Sequence, residues 1–186
     1  MAKVTVTPET FTMVNYDAGE IRSSIEEIAD RVGVPSDAEI VVDIAEKTPL
    51  GRSRLISTSP ITLSIEGGAI EEPTRPRNWS RRNTELVVGR LLLRATDRLG
   101  SGFENAPSED QLSVIQQTAW DAYSFGRLQR LGYDGRKPRA IYHFRNRHGF
   151  NDAADAVFER LWNAEDLTWA DIAVACDETA AAKATA

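Results

Sequence analysis

One cysteine, two histidines and no long apolar run set the first limits on this chain of 186 residues. A single thiol cannot close an intramolecular disulfide. Cys176 lies in an apolar helical pattern, where a free cysteine behaves as a small buried hydrophobe. Uninterrupted apolar runs are short, such as Leu91–Leu93 and Ile172–Cys176. A membrane span needs ~20 such residues. No basic stretch leads into an apolar one at the start, so no signal peptide is expected. These absences point to a cytoplasmic protein without a cofactor.

The chemistry-bearing motifs are missing too. There is no G-x-x-x-x-G-K phosphate loop and no G-x-S-x-G nucleophile elbow. Gly100-Ser101-Gly102-Phe103-Glu104-Asn105 begins like a dinucleotide fingerprint, but it lacks the third glycine and follows a helix. His143 and His148 stand among arginines in Tyr142-His143-Phe144-Arg145-Asn146-Arg147-His148. Zinc needs three or four ligands, and neighbouring cations oppose it.

What is present is an ordinary globular composition, 41% hydrophobic and 27% charged, with a formal net charge of −6. That charge is divided unevenly. Positions 75–148 hold 14 Lys/Arg against 7 Asp/Glu, and the remainder holds 8 against 21. Such asymmetry marks either a basic binding surface or mutual neutralisation between elements.

Short strands are expected at Lys3–Val6 and Phe11–Val14. Asp17 caps a helix carrying Ile21, Ile25, Ile28 and Val32, which ends at Gly33. Strands follow at Glu39–Ala45, Arg54–Ser57 and Ile61–Ile65, the last alternating cleanly. Pro73 and Pro76 make Glu71–Arg82 a loop, in which Arg75, Arg77, Arg81 and Arg82 surround Trp79. A helix is expected over Thr84–Leu99. Another should start at the Ser108/Gln111 capping box and run to about Leu131, with a small-residue stripe of Ala119, Ala122 and Gly126. Ala140–Phe144 reads as extended. Helices then run from Asn151 to Trp162 and from Thr168 to about Cys176, before a frayed tail, Ala180–Ala186. The fold class is α+β: a small N-terminal mixed sheet with helices over 1–104, followed by a helical lobe over 105–186.

The helix Thr84–Leu99 carries the most information. Val88, Leu91, Leu92, Ala95 and Leu99 form its main apolar face, and Leu86 and Leu93 form a second strip. Arg90, Arg94 and Arg98 stand between them at i, i+4, i+8. Like charges at this spacing call for counter-charge. Asp97, Glu66 or Glu71 could supply it internally, or an anionic ligand externally.

The order of a helix, strands, the run Ile61-Thr62-Leu63-Ser64-Ile65, a Glu-containing loop and a long helix resembles a minimal zincin, the small fold of zinc metallopeptidases. That resemblance implies a substrate cleft beside the long helix. The family's H-E-x-x-H is replaced here by Arg90-Leu91-Leu92-Leu93-Arg94. A guanidinium cannot ligate zinc, and Leu91 cannot act as a base. The resemblance therefore implies a zincin-like domain that is not a metallopeptidase, with an arginine-lined cleft for an anionic ligand or a protein partner. Its ligand-binding candidates are Arg90 and Arg94, then Arg75, Arg77 and Trp79.

Three other readings stay open. One is an enzyme acting on an anionic substrate with His143 or His148 as acid/base, assisted by Arg145. The second is nucleic-acid binding through the basic stretch 127–148, where Tyr133, Tyr142 and Phe144 are interleaved; the overall acidity disfavours it. The third is a homodimer through Trp162 and Trp169 on the last two helices.

Overall fold

A computed structural model describes residues 2–184. The fold is α+β, and the chain divides into two compact units, Met1–Thr96 and Asp97–Ala186. The division falls inside a helix, before the 104/105 boundary drawn from the sequence.

In the first unit, strands β1 (Lys3–Thr7), β2 (Glu39–Ala45), β3 (Ser53–Thr58) and β4 (Ile61–Glu66) form one sheet in the order β1-β2-β4-β3. β1, β2 and β4 are parallel, and β3 pairs antiparallel with β4 at the edge. Helix α1 (Ala18–Arg31) makes the crossover from β1 to β2. Register follows from alternation. Val4 faces Ile40 and Ile40 faces Ile61; Val6 faces Val42 and Val42 faces Leu63. All of these are buried, so one sheet face is apolar throughout, while Thr5, Thr7 and Asp43 on the opposite parity are exposed. Ile21, Ile25 and Ile28 of α1 are buried, and α1 packs against β1. Asp17 caps that helix, its Oδ1 accepting from the Glu20 amide at 2.8 Å.

A 3-10 turn at Gly67–Ile70 leads to a small hairpin of β5 (Glu71–Glu72) and β6 (Arg75–Trp79), then to helix α2 (Arg81–Leu99). The stretch read as a loop is thus a two-stranded ladder, and α2 starts at Arg81 rather than Thr84. Proline is tolerated because a two-stranded ladder leaves one edge open, where a missing N–H breaks no bond. Phe11–Val14 forms no strand. The amides of Thr12 and Met13 donate instead to the Glu46 carboxylate, at 2.8 Å each. These bonds hold the Glu46 carboxyl below its usual range, the Met13 amide contributing most.

The second unit is helical: α3 (Val114–Arg130), α4 (Lys137–His148), α5 (Asp152–Asn163) and α6 (Trp169–Ala184). Three sequence expectations change here. The capping box that forms is Ser113/Gln116, not Ser108/Gln111, so α3 starts later. Ala140–Phe144 belongs to helix α4. The last helix continues past Cys176 to Ala184, and the final two residues of the expected frayed tail lie outside the described residues. The core is built on Trp120, Phe144, Phe158, Trp162 and Trp169. Gly126 lets α5 come close: a Cβ there would lie 1.9 Å from the Trp162 carbonyl oxygen. Trp162 and Trp169 are buried in this core, so neither ring is offered to a second copy.

Candidate functional site

The β5–β6 hairpin is short but tied down on several sides. Arg77 adopts φ 64°, a left-handed conformation unusual for a residue with a Cβ. Its amide donates to Glu71 Oε1 at 2.9 Å, and its carbonyl accepts from the Asn15 amide at 2.7 Å. Asn83 Nδ2 donates to the Glu71 carbonyl at 2.5 Å, and the Ser80 amide donates to Ile70 at 2.8 Å. The Trp79 indole N–H is fixed on Thr84 Oγ1 at 2.6 Å, which anchors the ring to the first turn of α2. On the facing strand, the Thr74 hydroxyl and amide hold the Glu72 carboxyl below its usual range, with Arg75 adding a smaller electrostatic pull.

Arg75 and Arg77 are both exposed. Among the described residues no hydrogen bond or ion pair holds either guanidinium; Arg77's bonds are all made by its backbone. Two cationic side chains thus project from the hairpin, one of them, Arg77, from a backbone held in a costly conformation, with the half-buried Trp79 on the same strand. A non-glycine residue in the left-handed region costs about 1–3 kcal/mol, and such positions cluster at binding sites.

The arginine row on α2 is placed differently. Arg94 is 3% exposed, so it does not present its charge on the surface. Arg90 is half-buried and donates to Ser53 Oγ on β3 at 2.8 Å. Arg98 is engaged within the second unit: Nε and Nη2 reach Glu109 Oε1 at 3.0 and 2.8 Å, and its guanidinium lies 5.0 Å from the Trp120 ring centroid. Asp97, expected to pair with Arg94, is gripped by both terminal nitrogens of Arg127 at 2.7 and 2.6 Å and accepts from the Trp120 indole at 2.8 Å. Glu71 supports the hairpin backbone, not the row. Arg90 lies nine residues into α2, about 13 Å along its axis from Arg81. Arg75 and Arg77 are exposed, whereas Arg90 is half-buried and Arg94 buried.

His148 is 2% exposed and stacks on Phe144 with centroids 3.8 Å apart. Nε2 meets the Ile115 carbonyl at 3.1 Å, which requires an N–H there, and Nδ1 meets Thr179 Oγ1 at 2.7 Å. Burial is the main reason its pKa falls to about 4, with the charge of Lys183 adding to the fall. A ring with both nitrogens engaged inside the core is not placed as an open acid/base. His143 is exposed and its Nε2 accepts from Arg139 Nε at 3.3 Å. Arg145 forms a two-pronged pair with Asp155 at 2.7 and 2.5 Å, so it is not held for a substrate beside either histidine.

Three of the seven cations in the basic stretch 127–148 are ion-paired within its own unit, and a fourth is engaged by backbone carbonyls. Arg127 pairs with Asp97, Lys137 with Glu159 and Arg145 with Asp155, while Arg130 donates to the carbonyls of Trp162 and Ala164. Phe144 and Tyr133 are buried, which removes two of its three aromatics from any stacking surface. Burial also pushes the Cys176 thiol up to about 11, away from nucleophile chemistry. Among the described residues no group of three His, Cys, Asp or Glu side chains could hold a metal. None of their helices is long and apolar enough to cross a membrane.

The sequence signalled Arg75, Arg77 and Trp79 by composition alone. It did not signal Asn83 and Asn15, which hold Glu71 and Arg77 from 12 and 62 positions away, nor that Glu71 serves the Arg77 backbone rather than the helix row. Compared with family models, curated proteins and solved structures, the chain matches none.

Proposed function

We propose that this protein is a non-catalytic binding domain, zincin-like in its first unit, that holds an acidic segment of a protein partner. Arg75 and Arg77 are the contacts and Trp79 is the apolar edge beside them. The observation that carries the reading is the left-handed Arg77, exposed and cationic on a hairpin tied through Glu71 and Asn15. Guanidiniums carried on a fixed backbone form charge-assisted, two-pronged bonds to carboxylates without first losing backbone freedom. Arg90 is held on Ser53 of β3, and Arg94 is buried within the unit.

The test uses a fluorescein-labelled peptide rich in Glu and Asp, followed by anisotropy at low and high salt. The reading expects saturable binding that weakens with salt, and at least a tenfold loss in the Arg75→Gln/Arg77→Gln double variant. Equal binding by that variant would move the contact elsewhere.

A further inference from the structure

The second unit has a cleft of about 290 Å³ lined by Ile115, Arg147, His148, Thr179, Ala180, Lys183 and Ala184. We propose that this cleft is a binding site for a small carboxylate carrying a short apolar body. Its walls are chiefly apolar, from Ile115 at the start of α3 and two alanines on α6. Its cations come from two different helices, Arg147 on α4 and Lys183 on α6. Both are exposed, and among the described residues neither is in an ion pair. Among the described residues, no acidic side chain lines the cleft. An anion bound in the cleft would meet a cation from each of two helices against an apolar wall.

The remaining polar groups are already satisfied. His148 and Thr179 bond to each other, and His148 also meets the Ile115 carbonyl. The cleft therefore asks its ligand for one anionic head and no further hydrogen-bonding groups. Its volume lies at the lower end of the range for small-molecule sites, roughly 300–1,000 Å³. That favours a body of a few carbons over a long chain. This site lies wholly in the second unit and does not depend on the hairpin reading.

The experiment titrates hexanoate, acetate and hexanol into the full-length protein. Shifts of the Ile115, Thr179 and Ala180 amides and of the His148 ring are followed by NMR. Hexanoate is expected to move these signals together along one saturable curve. Acetate and hexanol, each lacking one half of the ligand, should bind at least tenfold more weakly. The Arg147→Gln/Lys183→Gln variant changes two exposed side chains, so it should keep the wild-type spectrum elsewhere and lose at least tenfold in hexanoate affinity. No saturable shift with hexanoate, equal binding of acetate, or wild-type affinity in the variant would each overturn the proposal.

Discussion

Burial of the His148 ring gives the second unit a definite pH dependence. Its folded pKa, about 4, lies below the ordinary value of 6.5. The unfolded chain then binds more protons than the folded one between those two values. Stability is full above pH 6.5, falls as pH drops through that window, and levels off below about 4. The size of the effect is about 3 kcal/mol. Urea unfolding at a series of pH values should show this slope in the wild type. His148→Gln should remove about one proton's worth of it, and an unchanged slope would mean that His148 takes up its proton in the folded protein as readily as in the unfolded chain. This behaviour was only partly legible. The sequence allowed a packed histidine, but its partners Thr179 and Ile115 are more than 30 positions away. Cys176 was easier to read, because the apolar helical spacing around it already placed it inside. Arg94 was harder: its i, i+4 relation to Arg90 and Arg98 looked like an exposed row, and helix spacing alone cannot tell which side of a row another element covers.

Among the elements, the hairpin and α3 give the sharpest tests. Arg77→Gly relieves the left-handed backbone. Stability should be unchanged or rise by up to about 1 kcal/mol, because the freer unfolded chain offsets part of the gain. Thermal melting measures that, and the same variant should bind the acidic peptide more weakly because it lacks the guanidinium. A clear loss of stability would show that the Arg77 side chain supports the hairpin. Gly126→Ala places a methyl against the Trp162 carbonyl and should lower stability by about 1–3 kcal/mol through overpacking. A melting temperature equal to wild type would mean that α5 can shift away without penalty. Strands β2 and β4 were legible because period-two alternation is local. Helix α4 was not. It buries only Phe144 and His148, so its apolar pattern is too thin to announce a helix; Pro138, tolerated in a first turn, was its one start signal. The start of α3 was ambiguous because the Ser-x-x-Gln signature occurs twice, five residues apart. The hairpin was hidden by its own prolines.

For the whole molecule, the division of charge is only in part a division of surface. Four of the seven cations between 127 and 148 are spent on Asp97, Asp155, Glu159 and two backbone carbonyls. The positive excess that looked like a nucleic-acid footprint is therefore in part matched by acids of the same unit. Single-stranded oligonucleotides should show no saturable binding to the full chain even at low salt, where phosphate contacts are strongest. Fluorescence titration checks this, and salt-sensitive binding would revive the nucleic-acid reading. Arg75 and Arg77 keep their charge outside. The most direct measurement of the central claim compares the wild type with Arg75→Gln/Arg77→Gln for binding of the labelled acidic peptide, at low and at high salt. The account predicts salt-sensitive binding by the wild type and at least a tenfold loss in the variant. Equal affinity in the two proteins, or no binding by the wild type at low salt, would contradict it.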